Sequence, residues 1–286
     1  LDATKHHVRR IEEMKAPTGV LNIDVMEKRH KTVPIKVYHK DALKVTQPIY
    51  LDDYGRAYYY IMNSGGGYLK GDFYSININV HEDAKTYITS QSATKVYKTP
   101  NSYALQELNV YIGENAVMEY LPDPLIMYKD AAYKQKTNIY MQNNSTLILC
   151  DSVTPGWSPN MEKFTYQYFD SLTKIYMENK LVVYDHLLLN PFKESLDQMG
   201  ILNQYSHYGT FMVINENITN DLIAALKTSL SNTNNMKIGI SSMPCKGFVI
   251  RILSHNTEDM ESIFFQCHRF VRENCLHEEL TSYRKY

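Results

Sequence analysis

Polar and apolar residues alternate one by one over long stretches between Val20 and Ile214. The clearest stretch is Phe73-Tyr74-Ser75-Ile76-Asn77-Ile78-Asn79-Val80, where Ile76, Ile78 and Val80 share one side and Ser75, Asn77 and Asn79 the other. A period of two marks a strand with one buried face. The same reasoning predicts strands over residues 19–28, 33–38, 57–62, 85–90, 105–112, 117–121, 137–141, 146–150, 164–170, 173–177 and 181–189. Only two segments keep helical spacing. Residues 218–230 put Leu222, Ile223, Leu226 and Leu230 on one stripe, behind a cap at Thr219 or Asn220. Residues 257–275 do the same with Met260, Ile263, Phe264, Cys267, Phe270 and Val271. Between them, 237–241 and 247–253 predict a strand pair. The expected fold is mainly β, with two helices in an α+β C-terminal third.

Three of the predicted strand pairs share a short polar turn: His81-Glu82-Asp83-Ala84, Gly113-Glu114-Asn115-Ala116 and Gln142-Asn143-Asn144-Ser145. These turns recur about every 30 residues, a period typical of stacked repeats. No single unit has enough apolar surface to stand alone, so stacking would build one continuous core. Three ordinary hairpins in a sandwich or barrel would give the same pattern, and periodicity leaves both arrangements open.

Charge and cysteine content narrow the functional classes. The 286 residues carry 30 Lys and Arg against 31 Asp and Glu, for a net charge of -1. That balance offers no basic footprint for nucleic acid. No apolar run reaches the roughly 18 residues of a membrane span. The first residues are charged (Lys5, Arg9, Arg10, Glu12, Glu13) and lack an apolar stretch, so no signal peptide is expected there. No Met precedes Leu1, which leads us to expect a natural N-terminus further upstream. Cys150, Cys245, Cys267 and Cys275 stand far apart, without a C-x-x-C pair. That usage suits small core residues in a reduced, cytoplasmic compartment. Tyr numbers 24 against 9 Phe and 1 Trp, a bias that favours half-buried pleated surfaces.

The segment Asn63-Ser64-Gly65-Gly66-Gly67-Tyr68-Leu69-Lys70-Gly71-Asp72 gathers Gly65, Gly66, Gly67 and Gly71. Glycine clusters where the backbone needs positive φ or close approach. A phosphate loop would need Gly-Lys-Ser/Thr and a following helix, and here Lys-Gly-Asp leads into a strand. The segment reads as a turn, or as a glycine-lined backbone path with Asp72 at its exit. Thr89-Ser90-Gln91-Ser92-Ala93-Thr94-Lys95-Val96-Tyr97-Lys98 is a run of hydroxyls and amides. It reads as a solvated loop, or as a polar face held inside the protein where each donor needs a partner. Among ten histidines, His6-His7 is a solvated terminal pair, while His186 and His207 are interior candidates, the first beside Asp185. No H-E-x-x-H and no His/Cys cluster is present, so no tight zinc site is expected. No G-x-S-x-G elbow supports a Ser-His-Asp hydrolase.

Six segments together carry a family resemblance. They are Asn63 to Asp72, Thr89 to Lys98, Tyr120-Leu121-Pro122-Asp123-Pro124-Leu125-Ile126-Met127-Tyr128, Asp151-Ser152-Val153-Thr154-Pro155-Gly156, Asp185 to Asn190, and His207-Tyr208-Gly209-Thr210. From about Gly19 to Tyr286 the chain resembles the urease accessory protein UreD (UreH) family, and Arg284-Lys285-Tyr286 resembles the ending of Gram-positive members. The resemblance implies a non-enzymatic protein folded as a β-helix-like stack of strands with a pair of helices near the C-terminus. It implies a single domain over 1–286, with a flexible 1–18, a β stack over 19–214 and an α+β part over 215–286. It further implies a metallochaperone scaffold that bridges apo-urease, UreF and, through UreF, the GTPase UreG, and that assists Ni²⁺ delivery along a polar tunnel. After Pro155-Gly156 the family carries Arg and then Gly-Glu, whereas this chain has Trp157-Ser158-Pro159-Asn160-Met161-Glu162. Glu162 stands at the matching place, and the Arg is missing.

Ni²⁺ accepts imidazole and mixed N/O donors. A conduit must bind its cargo weakly enough to release it. Scattered carboxylates, amides and hydroxyls suit that task better than a His/Cys cage. Asp72, Glu119, Asp151, Glu162 and Asp185 are therefore expected to include a transient Ni²⁺ path, with Gln91, Thr94, Lys95 and Tyr97 nearby and no tightly bound cofactor. The stripe of 257–275 is expected to pack on the β stack, with UreF docking as the alternative. Two rival readings remain. A β-helix carbohydrate-active enzyme would need paired carboxylates about 5–9.5 Å apart, and a pure scaffold would never touch metal.

Overall fold

The computed structural model describes residues 16–230 and 235–281. Strand β1 (Gly19–Glu27) returns as β2 (Thr32–Asp41) and a short β3 (Leu43–Val45), after which β4 (Ala57–Asn63) opens a series of coils. The chain then alternates between two sheets. β5 (Phe73–Val80), β8 (Ala104–Ile112), β11 (Ala132–Met141) and β13 (Tyr168–Met177) run parallel in the first. β4, β6 (Lys85–Ser90), β9 (Val117–Tyr120) and β12 (Thr146–Val153) run parallel in the second. Two-residue strands β7 (Lys95–Val96) and β10 (Ile126–Met127) pair on a narrow third face. Single bridges, Tyr68 to Val96 and Tyr128 to Trp157, extend that face.

This is the expected β-helix-like stack. Strands joined by the recurrent polar turns lie in different sheets and pair with the next coil instead of with each other, which decides against hairpins. β14 (Lys180–Leu189) closes the first sheet antiparallel to β13, giving the order β14-β13-β11-β8-β5-β1-β2. The second sheet continues antiparallel through β15 (His207–Ile214), β17 (Gly247–Ser254) and β16 (Lys237–Ser242).

The turns hold the coils in register. Their third residues, Asp83, Asn115 and Asn144, have φ of 58, 54 and 57°, a left-handed conformation that Asp and Asn tolerate through short polar side chains. The Asp83 amide donates to the Glu114 carbonyl at 3.0 Å, and the Asn115 amide to that of Asn143 at 3.3 Å, so each turn is tied to the next. On the outer face of the first sheet, Asn22, Asn77, Asn109 and Asn138 share one row. Asn77 donates to Asn22, Asn109 to Asn77 and Asn138 to Asn109, at 2.9, 3.1 and 3.1 Å. The adjacent row stacks Tyr111, Tyr140 and Tyr176 with ring centroids 4.9 and 5.1 Å apart, where the tyrosine bias finds a structural use.

One core lies between the sheets and a second between the second sheet and the helices. Helix α1 (Asn220–Ser229) starts at Thr219, whose hydroxyl accepts from the Leu222 amide. Helix α2 (Thr257–Val271) is capped by Asn256 and runs on into a π-helical turn, Arg272–Leu276. Its stripe of Met260, Ile263, Phe264, Cys267 and Val271 is buried in the second core with Phe211, Phe248, Ile250 and Ile252 of the sheet. Gly209 allows this approach, since a Cβ there would sit 2.5 Å from the Phe264 ring.

Several boundaries differ from expectation. The predicted strands at 164–170 and 173–177 are one strand, β13, and residues 164–167 belong to the preceding loop, where Phe164 has φ of 58°. β11 starts five residues before the predicted 137, at Ala132. β3, β7 and β10 are too short to show a period, and β15 lacks clean alternation because it is buried on both faces. His186 is not interior: it lies on the outer face of the first sheet, paired with Asp170 at 2.8 Å, while its neighbour Asp185 points inward. His207 is buried, and burial pushes its imidazole down to about 4. Among the described residues the four cysteines form no disulfide, and three of them are buried. His6-His7, residues 1–15 of the expected flexible segment, and Arg284-Lys285-Tyr286 lie outside the described residues.

Candidate functional site

The inward side chains of the first sheet change character along each strand. Near the polar turns the rows are apolar: Ile78, Val110, Ile139 and Ile175 lie in register, as do Val80, Ile112 and Met141. Toward the third face two rows turn polar. One runs Tyr74, Gln106, Gln135, Ser171, and the next runs Ile76, Leu108, Thr137, Thr173, Asp185. Gln106, Thr137, Ser171 and Thr173 are all buried. Across from them the second sheet contributes Asp151 and Thr210, paired in register. A buried polar group needs a partner or water, and these groups have both partners and room.

Three small chambers follow this band. The first lies beside the glycine-rich turn, with Asn63, Gly66, Gly67, Ser92 and Lys95 in its wall and a volume of about 160 Å³. The second, about 50 Å³, shares Thr94 with the first and is walled by Gln106, Gln135 and Asp151. The third, about 20 Å³, shares Asp151 and Thr173 with the second and reaches Asp185 and Tyr208. A water occupies ~10–15 Å³ on this measure, so the chambers hold on the order of ten, four and one or two waters. A cation in the inner two would have to exchange part of its water shell for protein oxygens.

Asp151 is the hub. Its Oδ2 accepts from Gln135 Nε2 at 3.0 Å and from Ser171 Oγ at 3.2 Å. Burial pushes its carboxyl up to about 6, and the nearby Asp185 charge adds to the rise. Tyr68 donates to Gln106 Oε1 at 2.6 Å and holds that amide at the wall. At the far end Arg251 of β17 reaches Asp185 Oδ1 of β14 at 2.6 Å and also bonds the Tyr208 hydroxyl.

The residues singled out in the sequence fall into distinct places. Asp151, Asp185, Thr94 and Lys95 line the chambers. Asp72 accepts from the Leu69 amide, the Tyr74 hydroxyl and the Thr18 hydroxyl, and so closes the glycine-rich turn. Glu162 is exposed, as is Gln91. Tyr97 packs over the turn and donates to the Gly66 carbonyl at 3.2 Å. A Cβ on Gly67 would lie 2.6 Å from that ring and 2.7 Å from the Lys95 carbonyl, so the close approach requires glycine there. Gly66 and Gly71 have φ of 76 and 72°, and the Gly65 amide donates to Asn63 Oδ1 at 2.8 Å. The glycine-rich turn and the polar segment are thus successive layers of the third face, joined by the bridge from Tyr68 to Val96.

Glu119 lies elsewhere, on the helix side of the second sheet, in a buried ionic cluster. Arg56 faces Glu119, Asp52 and Glu278 at 2.9, 2.9 and 2.6 Å. Arg272 faces Glu119 at 3.1 Å and Asp52 at 3.2 Å, and His268 Nε2 lies 2.5 Å from Glu119. Lys85 completes the set at Glu278, giving three cations against three carboxylates. Burial alone would raise the Glu119 carboxyl, but Arg56, Arg272 and His268 outweigh it and hold it well below the usual range. Burial outweighs Glu119 at His268 and keeps that imidazole below its ordinary value, so the neutral ring donates through Nε2. Sequence reading missed this cluster, whose members span residues 52 to 278. One signal was present: His268 and Arg272 fall on the apolar stripe of the second helix. Among the described residues no three His, Cys, Asp or Glu side chains stand together as a metal-holding group, and no helix is long and apolar enough to cross a membrane.

Comparison with known proteins places this architecture. A family model described as "UreD urease accessory protein" matches residues 17–285. A urease accessory protein UreD of Bacillus cereus (strain ATCC 10987 / NRS 248) is 95% identical over 273 residues, covering 96% of this chain and 100% of that protein. A urease accessory protein UreD of Staphylococcus aureus (strain bovine RF122 / ET3-1) is 39% identical over 272 residues, covering 94% of this chain and 98% of that protein.

Proposed function

The chain belongs to the UreD family of urease accessory proteins, and on that premise we propose that it supports urease maturation as a non-catalytic scaffold whose interior passes Ni²⁺ toward the apoenzyme. The observation that carries this reading is the succession of three polar chambers linked through Thr94 and Asp151. Oxygen donors predominate along it. Such ligands bind Ni²⁺ less tightly than thiolate and imidazole sets do, and a path of weak, successive sites lets an ion enter and leave. The narrow middle section favours a partly dehydrated ion, with Gln106, Gln135, Asp151 and Thr173 replacing waters.

In this reading the protein acts in the cytoplasm. Its surfaces bridge the urease apoprotein and UreF, and UreF brings the GTPase UreG. Asp151 and Asp185 belong to the path. Asp72 and Glu119 serve the fold, and Glu162 is left to the surface.

Nickel content of co-expressed urease tests the passage. Asp151→Leu is expected to lower it severalfold, while Glu162→Leu leaves it unchanged. Full loading with Asp151→Leu would rule out passage through these chambers and leave only the tethering role.

A further inference from the structure

The ion pair at the end of the chambers has a geometry that the passage alone does not require. Arg251 sits on β17, in register with Thr210 of β15. Its strand neighbours Ile250 and Ile252 face the helices, whereas Val249 and Leu253 pack toward the first core, and Arg251 shares their side. It therefore leans across the open end of the sandwich, where β14 is the last strand of the first sheet. The guanidinium spans both sheets. One nitrogen reaches Asp185 Oδ1 of β14 at 2.6 Å, and the other bonds the Tyr208 hydroxyl of β15, which Thr210 also holds at 3.0 Å. Arg251 is 44% exposed and Asp185 21%, so the pair lies at the border between the third chamber and solvent.

We propose that Arg251 gates this mouth of the passage: its guanidinium occupies the Asp185 carboxylate, and a divalent cation reaches that carboxylate only by displacing it. The proposal rests on the passage described above. The chemistry follows from competition for one acceptor. A carboxylate already bonded to a cationic fork offers a divalent ion less than a free one, and the positive charge at the rim repels the ion as well. When the fork swings out, Asp185 and Asp151 stand on one chamber wall within reach of each other's field. Arg251 remains hydrogen-bonded to Tyr208, which limits the swing and returns it. The residue is a positioning group, since it controls the carboxylate and does not itself bind the ion.

Met212 lines the third chamber and supplies a local probe. The full chain, labelled with ¹³C-methyl methionine and titrated with Ni²⁺ alone, reports the ion through paramagnetic change of the Met212 methyl signal, assigned by Met212→Leu. In Arg251→Gln the Ni²⁺ concentration giving half the effect is expected to fall about fivefold, the scale of losing one partly exposed ion-pair partner. Tyr208→Phe, which removes one anchor of the fork, should move it the same way by less. Adding Asp185→Asn to Arg251→Gln should abolish the gain. A Met212 response with equal midpoints in the wild-type and Arg251→Gln chains would overturn the gate and leave the passage standing. A Met212 signal silent to Ni²⁺ in every variant would remove the passage, and the gate with it.

Discussion

Replacing Asp151 by Asn removes a carboxyl that the folded chain holds at about 6 against an ordinary 3.8. The folded state binds this proton more tightly than the unfolded state. The group's contribution to stability is thus largest below 3.8 and is lost as pH rises through about 6. With both states ionised the loss amounts to about 3 kcal/mol. Asn cannot ionise, so the variant avoids that loss. From the same two values its advantage should widen by about 1 kcal/mol between about pH 5 and about pH 7.5. The amide oxygen can still accept from Gln135 and Ser171, but the NH2 group that replaces the other carboxylate oxygen accepts nothing. That deficit lowers the variant at both pH values and leaves the widening intact. Urea unfolding of wild-type and Asp151→Asn chains at the two pH values measures it. An advantage that stays flat or shrinks with rising pH would mean that Asp151 ionises as freely as in water and would rule out a closed polar chamber around it. The same variant should still lower the nickel content of co-expressed urease. A more stable chain that delivers less metal separates the passage from the fold.

Other outcomes follow from the two networks on either side of the second sheet and from the outer ladder. Glu119→Gln leaves Arg56 and Arg272 buried without their shared carboxylate and should cost about 3–5 kcal/mol in urea unfolding. Because the Glu119 carboxyl is held low, that stabilisation is present above its ordinary value and fades as pH falls, so the gap between wild type and variant should narrow in acid. Asn109→Ala breaks two rungs of the asparagine row, to Asn77 and from Asn138. It should cost ~1–2 kcal/mol, read as a lower thermal midpoint with unchanged nickel delivery.

The repeat was legible in its turns, although these left stack and hairpins equally open and only the family resemblance pointed to the stack. Asp83, Asn115 and Asn144 mark the same left-handed position in three coils, and the alternating strands beside them bury one face each. What periodicity could not supply was the side of a strand buried on both faces. β9 and β12 have little exposed surface to set the phase, so Glu119 and Asp151 looked alike in sequence yet point to opposite sides of one sheet. Asp151, Asp185, Thr94 and Lys95 reach the chambers, but the lining on β8, β11 and β13 was overlooked. Gln106, Gln135, Thr137, Ser171 and Thr173 sit at inward positions of strands whose other inward residues are aliphatic or aromatic, among them Leu108, Val110, Tyr133, Ile139, Phe169 and Ile175. A polar residue in an apolar phase was the available signal. It gained meaning only when register laid successive coils side by side.

Strand direction reverses at the margins of both sheets. β2 and β14 run against their neighbours in one sheet, and β3 and the β15–β17–β16 run do so in the other. Pro34, Lys36 and Lys40 on β2 discourage a further strand from pairing at that edge. A fold that elsewhere lends itself to indefinite extension is thereby blunted at this margin.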